Sequence, residues 1–122
     1  MEYLYLALKF LMASLFILIG IHHFKKPKFY YPIIPDFFPK KMVTYISGIV
    51  ELVLGIGLFI TAYEKQAAFG IFILMLIFLP LHVWDITREK PAMGSKKNAY
   101  IRLLIQFGLI AWAWFIYSKE II

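Results

Sequence analysis

The sequence predicts an all-α integral membrane protein, a four-helix up-and-down bundle forming one domain over residues 1–122, and three observations predict it. The 122-residue chain is 62% hydrophobic with a mean hydropathy of +0.78, more apolar surface than a small water-soluble domain can hide. Four apolar stretches are each long enough to cross a hydrocarbon core of roughly 30 Å at about 1.5 Å per helical residue. Most lysines and arginines cluster in the connections between these stretches.

The first helix, Tyr3 to His22, has no basic n-region and runs straight into His23 and a lysine cluster. It is therefore expected to persist as a membrane helix rather than be cleaved as a signal peptide. Lys9, inside it, is expected to snorkel outward. The connection at residues 25–41 reads KKPKFYYPIIPDFFPKK. Its prolines at 27, 32, 35 and 39 forbid a continuous helix, while Phe29, Tyr30, Tyr31, Ile33, Ile34, Phe37 and Phe38 make it too greasy to float in water. It either anchors in the headgroup region or folds back as a lid over the bundle. The second helix, Val43 to Ala62, carries Ser47, Glu51 and Gly55 four apart on one stripe, with Gly48 and Gly57 beside them; small side chains there allow close helix contact. The third, Gln66 to Trp84, includes Pro80, which is expected to bend it just before His82. The fourth, Ala99 to Tyr117, places Arg102 and Gln106 one turn apart, with Trp112, Trp114 and Tyr117 suited to the opposite interfacial belt.

The formal charge of +6 sits in short loops beside membrane spans, a pattern that argues against nucleic-acid binding. Loop one holds Lys25, Lys26, Lys28, Lys40 and Lys41, and loop three holds Arg88, Lys90, Lys96 and Lys97. The excess of positive charge predicts that loops one and three are cytoplasmic and both termini outside. The lack of an extension at either end suggests a bacterial inner (plasma) membrane. With no cysteine, thiolate, disulfide and iron–sulfur chemistry are excluded for the chain alone, so any redox role needs a bound cofactor or a redox partner.

An up-and-down bundle gathers the end of helix one, the start of helix two, the end of helix three and the start of helix four at one membrane face. His22 and His23, Glu51, His82 and Asp85, and Arg102 and Gln106 all fall at that end, with Glu51 about 12 Å into its helix. The other half holds almost nothing ionisable except Lys9. An ionised carboxylate near the bilayer centre costs roughly 2.5–3.5 kcal/mol on insertion scales, so Glu51 either ties helices together or carries function. Adjacent histidines point about 100° apart, so His22 and His23 do not share one cavity. His82 and Asp85, with His23 and Glu51, offer metal-ligand chemistry, but no specific ligand motif is present and no metal is expected; haem between His23 and His82 rests on similarly sparse grounds. The cluster better suits a lipid-soluble ligand such as a quinone. Arg102, Gln106 or a histidine would hydrogen-bond a carbonyl, and Glu51 or a histidine would hold a proton.

At these residues the chain resembles the DoxX family of small four-helix membrane proteins. The resemblance runs through Gly20-Ile-His-His-Phe24, Pro27-Lys-Phe-Tyr30, Pro35-Asp-Phe-Phe-Pro39, Tyr45-Ile-Ser-Gly-Ile-Val-Glu51, Gly55-Ile-Gly-Leu58, Arg102-Leu-Leu-Ile-Gln106 and Ala111-Trp112. Leu104 stands where the family often has proline. The family's histidine before phenylalanine corresponds to His23, which favours His23 over His22. The resemblance implies a subunit linked to quinol oxidation or thiosulfate:quinone oxidoreduction, or, by its other members, an assembly factor.

The leading expectation is thus a membrane subunit of quinone-linked redox chemistry rather than a stand-alone enzyme, with His23, Glu51, His82, Arg102 and Gln106 as its ligand-binding or proton-carrying residues. The alternatives are a non-enzymatic chaperone or assembly factor, and a small lipid-binding or transport protein. Expected partners are the lipid bilayer and another membrane or redox protein; a homo-oligomer is compatible with the sequence.

Overall fold

The computed structural model describes residues 2–89, 91 and 95–121. Among them are four α-helices, α1 (Glu2–Lys25), α2 (Lys40–Phe59), α3 (Glu64–Thr87) and α4 (Lys96–Ile121), with 3-10 segments at Pro27–Ile33 and Thr61–Tyr63 and no strand. All four helices are long and apolar enough to cross a membrane. The protein is an all-α membrane bundle. Lys90 of the third loop lies outside the described residues.

Helix ends follow from local chemistry. Pro27 stops α1 because the residue before a proline is pushed out of helical geometry; Lys26 has φ −135° and ψ 67°. Pro39 sits just ahead of α2, where its fixed φ suits a helix start, and the exposed Asp36 carboxylate meets Lys40 Nζ at 2.8 Å. Helix α2 thus starts three residues earlier than expected and ends at Phe59, with the Ile60 N–H bonded to the Gly57 carbonyl. Helix α3 continues through Pro80.

The helices follow one another around the bundle. Contacts are densest within the α1–α2 and α3–α4 hairpins, lighter between α2 and α3, and sparsest between α1 and α4. Glycine makes the first hairpin close: an added Cβ at Gly20 would lie 2.9 Å from the Gly48 carbonyl oxygen, and one at Gly55 2.9 Å from that of Ala13. The buried stripe of α2 runs Thr44, Gly48, Glu51, Gly55, Leu58, the three-and-four spacing of one helix face.

From the cavity end outward, the bundle interior changes character in layers. One end carries polar residues around a cavity; next comes a dry layer of Met12, Phe16, Leu58, Ile71, Ala113 and Ile116. The far half then holds an ion pair between Lys9 on α1 and Glu64 at the start of α3. This corrects the expectation that Lys9 snorkels outward and that its half lacks other ionisable groups. Lys9 is 6% exposed and Glu64 7%, and the ammonium also lies 4.8 Å from the centre of the Phe10 ring. A counter-ion across the bundle makes an inward path cheaper than a long reach to the interface, since burying one charge alone is costly. Trp112 likewise departs from a purely interfacial role: its indole N–H donates to the Leu8 carbonyl at 3.1 Å, joining α4 to α1. Trp114 stays exposed and packs on Phe72 and Tyr117.

Candidate functional site

At the polar end the helices enclose a cavity of about 310 Å³. His23, Glu51, His82, Arg102 and Gln106, anticipated from five places in the sequence, all line it, among walls that include Phe16, Ile19, Phe78 and Leu109. His22 does not; it faces the loop, with its Nδ1 hydrogen-bonded to the Tyr30 hydroxyl at 2.6 Å. Asp85 is buried beside the cavity and accepts from Arg88 Nη1 at 3.1 Å. No group of three or more His, Asp or Glu side chains converges among the described residues, so the set His23, Glu51, His82 and Asp85 is not assembled as metal ligands.

His23 and Glu51 meet because Gly48 lets α1 lie against α2. An added Cβ at Gly48 would be 2.7 Å from His23 Cβ. His23 Nδ1 donates to the Ile19 carbonyl at 2.8 Å; a carbonyl only accepts, which assigns the hydrogen to Nδ1 and turns Nε2 toward Glu51. Nε2 and Glu51 Oε1 are 3.8 Å apart, an ion-pair separation too long for a direct hydrogen bond. Glu51 is 4% exposed, and its Oε2 has no hydrogen-bond partner among the described residues. Because α2 begins at Lys40, Glu51 lies about 16 Å along its helix, deeper than the sequence suggested.

The opposite wall comes from α3 and α4. His82 Nδ1 is buried and without a hydrogen-bond partner among the described residues. Gln106 donates through Nε2 to the Met75 carbonyl at 2.7 Å. That carbonyl neighbours Leu76, whose carbonyl would have bonded the N–H that Pro80 lacks; the Gln106 amide therefore braces α3 beside its proline. Arg102 is half-buried, within electrostatic range of His82 and Asp85. Its guanidinium makes no hydrogen bond or ion pair among the described residues.

The first loop folds back over the bundle and roofs the cavity. Helix α2 projects past the end of α1, and Pro27–Ile33 fills the step, burying Ile33 and Ile34 against the cavity. Tyr30 stacks on the His23 ring with centroids 3.7 Å apart. Burial, with the Glu51 charge adding, pushes its hydroxyl up to about 12, so it stays a donor at neutral pH. Arg88 clasps the roof to α3 by donating to the Pro32 carbonyl while lying over the Trp84 ring. Tyr30 was missed as a site residue. The only sign of it was the apolar character of a proline-rich loop.

Neither curated proteins nor solved structures give a significant match to the chain. A family model, DUF8561, described as a domain of unknown function, matches residues 12–117. That stretch contains α2 and α3, most of α1 and α4, the roof and every residue that lines the cavity, and the chain belongs to the DUF8561 family.

Proposed function

We propose that the protein is a small membrane subunit that binds a lipid-soluble, quinone-like ligand in this cavity and takes part in quinone-linked redox chemistry alongside a redox partner. The observation that carries the reading is the set of five polar side chains, drawn from all four helices, around one apolar-walled cavity. Its volume is at the small end of ligand pockets, roughly 300–1,000 Å³, suited to a ring headgroup whose tail stays in lipid. A quinone supplies two-electron, two-proton chemistry through oxygens that accept hydrogen bonds when oxidised and donate them when reduced. Arg102 and His82 are suited to donate to such an oxygen, and the unpartnered Glu51 Oε2 to accept from one. Glu51 and His23 together can hold a proton there. The resemblance to the DoxX family supports the same reading, and with no cysteine in the chain the electrons would come through a bound cofactor or a redox partner.

The basic residues Lys25, Lys26, Lys28, Lys40, Lys41, Arg88, Lys96 and Lys97 lie at the cavity end, which supports a cytoplasmic cavity, outside termini and an inner-membrane location. One observation favours an assembly factor instead: Phe37 on the roof loop is 82% exposed beside Phe38, a surface available to another protein. Extraction of detergent-purified protein from several lipid backgrounds, followed by mass spectrometry, separates the two. Quinone is expected in native protein and depleted in Glu51→Gln; native protein that is empty in every background rules the quinone reading out.

A further inference from the structure

The cavity's walls are not equally closed. Its roof is shut by Ile33, Ile34 and Tyr30, and its floor by the dry layer around Met12 and Leu58. Around the sides, α1 and α4 form the sparsest seam, and their hydrogen bond, from Trp112 to Leu8, lies in the far half. On the α4 side of that seam stands Ile105, which lines the cavity and is yet 55% exposed. A side chain that does both marks a place where the cavity wall meets lipid. Arg102 lies one turn away on the same helix, its guanidinium donating to no protein acceptor among the described residues, while Asp85, which acts on it electrostatically, is bonded to Arg88.

We propose that the cavity is loaded sideways from the bilayer through a window between α1 and α4 at Ile105, and that its ligand class is a membrane-dissolved amphiphile whose hydrogen-bond-accepting head is drawn in by Arg102. A guanidinium offers donors only, in a fixed fork, so the head must present carbonyl, carboxylate or phosphate oxygen. The apolar body then lies against Ile19, Phe16 and Leu109, and the tail stays among lipid chains. The inference rests on the cavity being a binding site, not on the ligand being a quinone.

The test uses the full chain in phosphatidylcholine vesicles containing a long-chain alkyl diazirine alcohol, irradiated and mapped by tandem mass spectrometry. Adducts are expected on cavity residues, Glu51 among them, reduced several-fold in Ile105→Trp and retained in Leu104→Trp, a neighbour that is 69% exposed. Labelling of lipid-facing residues without the cavity, or cavity labelling unchanged in Ile105→Trp, overturns the window. Because the chain has no cysteine, Ser47→Cys reports separately on water. Rapid modification by a charged, membrane-impermeant maleimide in intact vesicles would mean an aqueous opening and overturns the proposal too. If labelling behaves as expected but no quinone is retained, the window stands and the quinone reading falls; if quinone is bound but labelling is unchanged in Ile105→Trp, the quinone reading stands and the window falls.

Discussion

Replacing Gly48 with alanine asks whether the close approach of α1 and α2 holds both the fold and the site. A methyl at Gly48 would lie 2.7 Å from His23 Cβ, 3.0 Å from Phe24 Cε2 and 3.1 Å from the Gly20 carbonyl oxygen. Non-bonded carbons rest at roughly 3.5–4.0 Å, so the helices must part by about 1 Å. A Cβ and a backbone oxygen cannot swing aside as a side-chain tip can. Overpacking of this kind costs about 1–3 kcal/mol. Alanine also gains roughly 1 kcal/mol over glycine in a helix, which Gly108→Ala isolates, because nothing lies within 4 Å of a Cβ there. The propensity gain cancels between the two variants, so Gly48→Ala should be less stable than Gly108→Ala by about 1–3 kcal/mol. Thermal unfolding of both in one detergent, followed by tryptophan fluorescence, measures the difference. Equal stability, or a more stable Gly48→Ala, would refute the packing argument.

Two further outcomes follow from buried and roof residues. Lys9→Met strands Glu64 and should cost about 3–5 kcal/mol, whereas Lys9→Met with Glu64→Met should recover most of it; a double variant no better than the single one would show that the pair is not the source. The Tyr30 hydroxyl, at about 12, should be late to ionise in an alkaline absorbance titration. Its folded value is above the ordinary tyrosine value of about 10, so its contribution to stability is full below pH about 10 and lost as pH rises through about 12. Tyr30→Phe should flatten that loss, and an identical alkaline unfolding profile in both proteins would contradict the burial of the hydroxyl.

The helices and the polar end of the bundle were legible because both depend on local pattern. A run of some twenty apolar residues has few alternatives to a spanning helix, and alternating direction then fixes which helix ends share a face. That is enough to collect His23, Glu51, His82, Arg102 and Gln106 at one end of the bundle. The Lys9–Glu64 pair was not legible. Glu64 opens a helix and reads as an ordinary first-turn acid, and only the rotation of α3 turns it inward toward α1. The extra first turn of α2 was hidden by the lysines at 40 and 41, which are too polar for a hydropathy pattern but are good helix formers after Pro39. The roles of Trp112 and Tyr30 required the third dimension, since neither's partner is close to it in an element of its own.

In the proposed reading the cavity holds a bilayer-dissolved, quinone-like ligand, with Arg102 as a principal donor to its head. Binding of a decyl-chain benzoquinone to the purified full-length protein in mild detergent, compared with Arg102→Met, tests this most directly. A hydrogen bond from a charged group contributes roughly 1.5–3 kcal/mol, so saturable binding should weaken by roughly 10- to 100-fold in the variant. Absence of saturable binding to the native protein, or equal affinity in Arg102→Met, would rule out this mode of binding.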